Sequence, residues 1–327
     1  RGLRSDRLNQ FAFEDRPEEN FKMDIVRLSK ERESEILKEV HYNHEQLEKD
    51  LELLKTWLRE QRHLPKTRLL ETDAFLQHFL VGCKGSLENA KKKLDSYYTL
   101  RGVSPVLQGR DNIEMLKRVA RTQYLWVSPK PLPDGTMIYM LGARDANVDL
   151  YDPEATLRRA LLSCEFLMRR SGIIRGKQVL IDATGFSAGH ALRTPPTNLR
   201  LIATFMREAY PIRVKKFIVF NAAPYVDSMI NTFVRPFLTE KLQERLIVTK
   251  ENIDKVFPYM DELPSTYGGK QGEIFELAEH WEKAMETWDY LPNLEEVVDE
   301  SARPATDKDR LNPYFGLHGS IKALVID

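Results

Sequence analysis

From about residue 103 onward, apolar β-branched stretches alternate with segments of helical character, and this alternation constrains the fold more than any other feature. The stretches that have the character of strands are residues 136–141, 178–184, 216–221 and 246–249. Helical segments follow the first three of them, at residues 155–170, 198–208 and 227–238. Strand, helix and strand in series favour a mostly parallel sheet with right-handed crossovers. The sequence therefore predicts an α/β fold for this part of the chain.

The preceding hundred residues have apolar positions that recur at helical spacing. The clearest run has intervals of three or four residues, which is typical of an amphipathic helix with one buried face: Leu47, Leu51, Leu54 and Leu58. Residues 20–100 are therefore predicted to be all-helical. We expect an N-terminal helical domain at residues 1–102, an α/β domain at 103–290 and a C-terminal extension at 291–327 that packs on the core.

Charge and composition exclude several classes of protein. Lysine plus arginine number 49, as do aspartate plus glutamate, so the formal net charge is zero and no global field attracts nucleic acid. Two cysteines are too few to staple 327 residues or to build a structural zinc site, so we expect a reducing, cytoplasmic location. The sequence has no run of roughly 20 apolar residues, no metal-ligand spacing and no phosphate-binding glycine loop. We therefore expect neither a metal nor a cofactor.

One motif has the form of a catalytic nucleophile. Residues 185–189 read Gly-Phe-Ser-Ala-Gly, which matches the Gly-x-Ser-x-Gly elbow of α/β-hydrolases. Such an elbow needs a helix that starts at the serine, but Pro195 and Pro196 interrupt this segment within two turns. A serine esterase at Ser187 is therefore a remote alternative. The competing interpretation is that the glycines form a turn which Ser187 caps or in which it faces a cavity.

The strongest periodic signal is an apolar stripe in residues 226–238. Its members recur at i, i+3, i+4, i+7, i+8, i+11 and i+12: Val226, Met229, Ile230, Phe233, Val234, Phe237 and Leu238. Ordinary packing against the sheet is the commoner explanation of such a stripe. The alternative is a helix that covers a lipid cavity and moves to release its contents, because phenylalanine and adaptable methionine suit a surface that contacts acyl chains.

Cationic residues flank this stripe on both sides. Arg213 and Lys215 precede it, and Lys241 and Arg245 follow it. A spacing of four residues places Lys241 and Arg245 on one helical face, from which they could bind phosphate oxygens. The glutamate directly before each of them could instead form an ordinary solvated ion pair.

Several segments occur in an order that matches one known family. They are residues 73–80, 182–190, 209–215, 235–241 and 263–269. Residues 182–190 read Asp-Ala-Thr-Gly-Phe-Ser-Ala-Gly-His and resemble the Asp-x-x-Gly-x-Ser-x-x-His segment of the CRAL-TRIO, or Sec14-like, lipid-binding family. Residues 82–84 and 315–320 most resemble those of insect members that are like the α-tocopherol transfer and retinaldehyde-binding proteins. This resemblance disposes of the esterase interpretation and implies a carrier that performs no chemistry.

The resemblance also implies which residues form the site. One lipophilic molecule would lie between the sheet and a mobile gate helix. The expected cavity residues are Tyr139, Ile138, Met140, Ser163, Phe166, Leu180, Thr184, Phe186, Ser187, Ile202, Phe205, Phe217 and Val219. The expected gate residues are Tyr225, Val226, Met229, Ile230, Phe233, Val234 and Phe237. The expected phosphoinositide-binding residues are Arg213, Lys215, Lys241 and Arg245.

The resemblance also implies a function and its partners. We expect cytosolic binding and transfer of a retinoid, carotenoid, tocopherol or similar isoprenoid, with most of the affinity supplied by burial of apolar surface at about 25 cal/mol per Å². Phosphoinositides would assist transient docking to an anionic membrane, where the protein would associate peripherally and its gate would open. The alternative is a lipid-sensing adaptor that docks to a protein partner through its charged N-terminal region.

Overall fold

The structure is a computed structural model and describes residues 25–211 and 213–304. In these residues the helices are, in chain order, α1 (Lys30–Lys38), α2 (His44–Glu60), α3 (Asp73–Gly82), α4 (Leu87–Val103), α5 (Ile113–Thr122), α6 (Pro153–Arg170), α7 (Ala188–Arg193), α8 (Pro196–Glu208), α9 (Pro224–Phe233), α10 (Glu240–Arg245) and α11 (Ile274–Glu286). The strands are β1 (Gln123–Val127), β2 (Thr136–Ala143), β3 (Gly176–Asp182), β4 (Val214–Phe220) and β5 (Leu246–Val248).

The strands form one sheet in the order in which they occur along the chain. β1 pairs antiparallel with β2, and β2 to β5 pair parallel with their neighbours. The predicted fold class is confirmed: a helical N-terminal region is followed by a mixed sheet of five strands flanked by helices. The sequence analysis did not predict β1, because this strand begins at Gln123, directly after the last residue of α5, with no turn residue between them.

The ends of several helices follow from local chemistry. Asn43, Thr72 and Asp152 each accept a hydrogen bond from the main-chain N–H three residues on, at 2.8, 3.3 and 2.9 Å. Each such cap contributes about 1 kcal/mol to helix stability.

The predicted helix over residues 227–238 is shorter in the structure. α9 ends at Phe233, and residues 235–237 form a single 3-10 turn. Pro236 explains the break, since proline has no main-chain N–H and disfavours helical geometry at the residue before it. Phe237 and Leu238 are therefore not part of the same helical face as the rest of the apolar stripe.

Side-chain alternation divides the sheet into two faces. On the first, which we call the crossover face, Tyr139 and Val179 pack with α6, and Val219 packs with α9. On the second, the closed face, strand side chains pack against residues 253–278. The connections that carry helices therefore cover one face, and a later part of the chain covers the other.

The helical N-terminal region shares a core with the rest of the molecule. The four leucines of the predicted amphipathic helix are all buried in α2, and their cluster continues into α6 and α8. Buried ion pairs reinforce this contact. Arg169 of α6 lies 2.7 Å from Glu71, and Arg303 makes a bidentate pair with Asp95 of α4 at 2.9 Å.

Candidate ligand-binding site

An incompletely covered apolar surface lies on the crossover face. Ile181 of β3 and Phe217 of β4 are only half-buried, although both strands lie inside the sheet. Met206 of α8 and Leu242 of α10 are also half-buried and pack against the same core cluster. Inward-facing residues of a sheet covered by helices are normally fully buried. The helices therefore leave apolar surface here that a bound apolar molecule would cover.

One hydrophobic cluster joins this surface to the predicted gate. Its buried members include Val219 of β4 together with Val226 and Ile230 of α9, and other side chains pack against it with part of their surface accessible. The predicted cavity and gate residues that the structure brings together here are Phe186, Phe217, Val219, Val226, Ile230 and Val234.

The apolar stripe of α9 is sealed along one edge only. Val226 and Ile230 are buried, with 3% and 8% of their surface exposed. Met229 and Phe233, on the same stripe, are half-buried. Complete packing into the core would bury all four side chains, so part of the stripe remains available to another apolar partner.

Three predicted cavity residues lie on the closed face and cannot line a cavity beneath α9. Ile138, Met140 and Leu180 are fully buried there against residues 253–278. Successive side chains of a strand point to opposite faces, so a wall that includes both Ile138 and Tyr139 is geometrically excluded. The sequence pattern did not show which strand positions face α9, because the side chains on both faces of the sheet are apolar.

Other predicted cavity residues are engaged in the core around α6. The hydroxyl of Tyr139 donates to the main-chain oxygen of Ala160 at 2.7 Å. Ser163 accepts a hydrogen bond from the indole of Trp281 at 2.9 Å. Phe166 packs edge-on against the same indole, with ring centroids 5.3 Å apart. Because all three have partners inside the protein, their role is to build the wall rather than to line its surface.

Helix α8 turns its predicted cavity residues toward the helical region. Phe205 packs against Tyr210 with ring centroids 4.8 Å apart, and Ile202 packs against the same cluster. Met206, which the sequence analysis missed, packs toward the crossover face instead. Met206 directly follows the predicted Phe205, and Ile181 directly follows the predicted Leu180. In both elements the residue that faces the site is therefore one position after the residue that was predicted.

The Gly-x-Ser-x-Gly segment forms a helix cap. The main-chain N–H of Ser187 donates to Nδ1 of His190 at 3.1 Å, and the serine Oγ lies 2.8 Å from the same nitrogen. In a catalytic triad Nδ1 must donate to an acid while Nε2 takes the serine proton. Here Nδ1 accepts, and the imidazole packs against the ring of Tyr151 at 5.0 Å. The geometry supports the interpretation of Ser187 as a cap.

Two predicted polar residues lie at the edge of this region. Thr184 is exposed, and its main-chain N–H donates to Asp182 at 2.9 Å. Tyr225, at the start of α9, is 36% exposed and donates its hydroxyl to the main-chain oxygen of Phe186. This hydrogen bond attaches α9 to the loop that follows β3.

Three of the predicted headgroup residues lie together, and the structure adds a fourth cation. The basic cluster consists of Arg175, Arg213, Lys215 and Arg245, whose charges act on one another. Arg245 is held there by a hydrogen bond to the main-chain oxygen of Val214. Burial and the neighbouring arginines lower the pKa of Lys215 to about 8, and burial also lowers the pKa of Arg213. Concentrated, partly desolvated positive charge of this kind attracts an anion.

A carboxylate from the helical region reaches into the basic cluster. Glu39, the residue that caps the end of α1, lies 2.5 Å from Arg175, 3.8 Å from Arg213 and 3.9 Å from Lys215. Neither Glu39 nor Arg175 was predicted, because they are far apart in the sequence and belong to no motif. Lys241, the remaining predicted headgroup residue, is exposed in α10.

The search for other kinds of site covers the described part of the chain. Within residues 25–211 and 213–304, the structure brings together no group of three or more histidine, cysteine, aspartate or glutamate side chains that could hold a metal ion. Among the same residues, no helix combines the length and the apolar character that a membrane span requires.

Two segments of this chain match known domains. Residues 123–269 match the CRAL/TRIO domain, and residues 43–114 match the Pinta-like, UBA domain. The first match covers all five strands of the sheet and α9. The predicted family resemblance is therefore confirmed.

Two curated proteins and one solved structure are similar to this chain. The α-tocopherol transfer protein-like protein of Mus musculus is 24% identical over 266 residues, which cover 80% of this chain and 75% of that protein. Clavesin-2 of Mus musculus is 26% identical over 271 residues, covering 77% and 80% of the two chains. The crystal structure of Sfh5 covers 77% of this chain and 93% of its own at 10% identity and a TM-score of 0.41, a likeness too loose to bear on function. The names of these relatives are not those of enzymes.

Proposed function

We propose that this chain, whose residues 123–269 match the CRAL/TRIO domain, binds one hydrophobic small molecule on the crossover face beneath α9 and transfers it between membranes. The observation that carries the proposal is the half-buried apolar surface of Ile181 and Phe217 under a helix whose own stripe is half-buried. Covering such surface is favourable by about 25 cal/mol per Å². A ligand that covers the exposed part of these side chains would gain this free energy.

The cargo that we propose is an isoprenoid such as a retinoid, carotenoid or tocopherol. The side chains around the gap are aliphatic or aromatic, which suits a long apolar molecule with few polar groups. The name of the α-tocopherol transfer protein-like relative supports the same class. In this proposal residues 103–290 hold the cargo, and residues 25–102 and 291–304 support that domain; the remainder of the predicted N-terminal domain and C-terminal extension lies outside the described residues.

We further propose that the protein docks transiently on anionic membranes as a cytoplasmic, peripheral protein. The basic cluster would bind a phosphoinositide headgroup, since arginine and lysine donate charge-assisted hydrogen bonds to phosphate. Lys241 and Arg245 lie in α10, shortly after α9, so contact with the membrane at these residues would act close to the gate. Binding there would favour release of the apolar cargo into the bilayer.

The first experiment is organic extraction of the purified protein followed by mass spectrometry. A single isoprenoid in stoichiometric amount supports the carrier proposal and identifies the cargo. If the protein is then reloaded with that molecule, transfer between vesicles should be faster with phosphoinositide in the acceptor membrane. Failure of the loaded protein to accelerate transfer would contradict the proposal.

A lipid-sensing adaptor is the second candidate. The match of residues 43–114 to the Pinta-like, UBA domain is compatible with a partner-binding N-terminal region. An adaptor would bind lipid without accelerating its transfer, so the vesicle assay separates the two functions.

A further inference from the structure

Lys177 places an amine in the core of the crossover face. It lies on this face together with Val179 and Ile181, because alternate residues of β3 point the same way. The residue is only 2% exposed, and Nζ has no oxygen or nitrogen hydrogen-bond partner within residues 25–211 and 213–304. A buried donor without such a partner is rare, since it costs free energy, and more when the group is charged. An amine kept in a core at this cost points to chemistry rather than to packing.

The amine lies beside an aromatic ring and a thiol. Nζ is 5.1 Å from the centroid of the Tyr139 ring. The thiol of Cys164, in α6, is within hydrogen-bonding reach of Nζ but is a weak acceptor. Burial lowers the pKa of Lys177, against the opposing effect of the thiol. The neutral amine, which is the nucleophilic form, is therefore more populated here than at a lysine in solvent.

Cys164 is placed to react with a small oxidant. The residue is half-buried and packs against both the core cluster of the helical region and that of the crossover face. Because it is not sealed, a molecule as small as hydrogen peroxide can reach it. A neighbouring ammonium group favours the thiolate, which is the form that peroxide oxidises.

Cys83, the other cysteine of the chain, has a different environment. Burial raises the pKa of its thiol, and the nearby Lys93 only partly offsets this effect. The amine of Lys93 is engaged, because it donates to the main-chain oxygen of Arg207 at 2.6 Å. Cys83 therefore lacks the combination of thiol and uncommitted amine that the structure describes at Cys164.

We propose that Cys164 and Lys177 form a peroxide-sensitive modification site, in which a sulfenic acid at Cys164 condenses with Lys177 to a sulfenamide. In the first step the thiol gives its proton to the amine, and the thiolate attacks one oxygen of hydrogen peroxide. The O–O bond breaks, and the departing hydroxide takes the proton back from the ammonium group to form water.

In the second step the lone pair of Nζ attacks the sulfur. The S–O bond breaks, and the hydroxyl leaves with one amine proton as a second molecule of water. One peroxide is reduced to two waters, and the sulfur is oxidised by two electrons. The two side chains together lose two hydrogen atoms and gain an S–N bond.

The new bond would tie α6 directly to β3. It removes the positive charge of the buried amine and closes a loop between residues 164 and 177, which restricts the unfolded chain. Both effects stabilise the oxidised protein. A thiol reductant cleaves the bond and restores the two side chains. The site does not require the protein to carry a lipid.

The test starts from Cys83→Ser, in which no disulfide can form within the chain because Cys164 is the remaining cysteine. The full-length protein is treated with hydrogen peroxide and digested without reduction, and the peptides that contain residues 164 and 177 are weighed. Lys177→Met in this background removes the amine and keeps its apolar stem. Lys216→Met, which alters a half-buried lysine of β4, is the matched control.

We expect Cys83→Ser to yield a pair of peptides joined through residues 164 and 177 and lighter by about 2 Da than their sum. Lys216→Met should give the same pair. The Cys164 peptide of Lys177→Met should instead gain about 32 Da, because its sulfenic acid proceeds to sulfinic acid. Oxidation should raise the melting temperature of Cys83→Ser, and dithiothreitol should reverse the rise.

Two results would overturn the sulfenamide. One is oxygen on the Cys164 peptide of Cys83→Ser with no joined pair. The other is a joined pair that is heavier by about 14 Da, which retains an oxygen between the two side chains. The joined pair is detected in a protein that keeps Lys177, so the result does not depend on how Lys177→Met folds. It is also independent of the transfer assay, so this proposal and the carrier function fail separately.

Discussion

The carboxylate of Glu39 and the guanidinium of Arg175 form a two-point contact, with one carboxylate oxygen 2.5 Å from Nη2 and the other 3.1 Å from Nε. The contact joins the end of α1 to the residue directly before β3. It places an anion of the protein itself among the cations to which we assign the membrane headgroup. A lipid phosphate that binds there, as we propose, would compete with Glu39.

Removing this competition should strengthen membrane binding. We expect Glu39→Gln to bind phosphoinositide vesicles about three- to tenfold more tightly than the parent, because the neutral amide no longer offsets the charge of the arginines. Glu35→Gln is the control, since Glu35 lies on α1 but pairs with Arg32 at the surface. Sedimentation with vesicles measures both. Equal binding by Glu39→Gln and the parent would show that the headgroup does not meet this cluster.

Vesicle binding should weaken as the pH rises from 7 to 9. The pKa of Lys215 is lowered to about 8 by burial, then by Arg213, Arg175 and Arg245, against the opposing effect of Glu39. Lys215 is therefore charged at pH 7 and largely neutral at pH 9, and only the charged form attracts an anionic surface. A bound phosphate favours the charged form and shifts the decline to somewhat higher pH.

Replacement of this lysine tests the assignment. Lys215→Arg keeps its charge throughout this range, so its vesicle binding should be nearly independent of pH between 7 and 9. If the decline persists unchanged in Lys215→Arg, another group is responsible for it.

The two edges of α9 should respond differently to the same substitution. We expect Ile230→Asp to reduce the free energy of unfolding by more than about 2 kcal/mol, because it places a carboxylate in a buried cluster. Phe233→Asp should cost less than about 1 kcal/mol, since this side chain is half-buried, yet should abolish transfer of the loaded cargo. Urea unfolding and the vesicle assay measure the two effects. Equal destabilisation by both variants would mean that the whole stripe is sealed core.

The ion pair between Asp95 and Arg303 should stabilise the fold strongly. Removing one partner of a buried pair leaves an uncompensated charge, so we expect Arg303→Ala to cost about 3–5 kcal/mol in urea unfolding at pH 7. Burial raises the pKa of Asp95, but the His63 hydrogen bond and Arg303 outweigh it, and the net pKa is below 3.8.

The sign of the pH dependence follows from this lowered pKa. The stabilisation from Asp95 is complete above pH 4 and is lost as the pH falls through the folded-state pKa. The difference in the free energy of unfolding between Arg303→Ala and the parent protein should therefore become smaller in acid. If this free-energy difference stays constant down to pH 2, Asp95 is not the group whose charge Arg303 stabilises.

Local periodicity predicted most of the fold, because it depends on neighbouring residues. β2 to β5 and helices α6 and α8 occur within a few residues of the predicted positions. The break after Phe233 could have been predicted from Pro236, which any helix over residues 227–238 must accommodate. The four leucines of α2 were predicted as one buried face, and they are buried.

The site was harder to predict because its residues meet through tertiary contacts. Phe217 and Val219 lie on the crossover face, but Ile138 and Leu180 do not, and only the register of neighbouring strands decides this. The cations that flank the gate were visible in the sequence. Their meeting with Glu39 depends on how α1 packs beside the sheet, and no local pattern encodes that contact.

The pairing of Asp95 with Arg303 also has a consequence for the order of events on the ribosome. Asp95 lies in a helix that is complete as soon as residue 103 has been made, whereas its buried counter-ion is translated 200 residues later. The main-chain hydrogen bond from Asp299 to His63, at 2.7 Å, likewise joins a residue that is translated late to one that is translated early. The helical region therefore emerges before Arg303, the buried counter-ion of Asp95, has been made, and it reaches its final stability only after that residue has been translated.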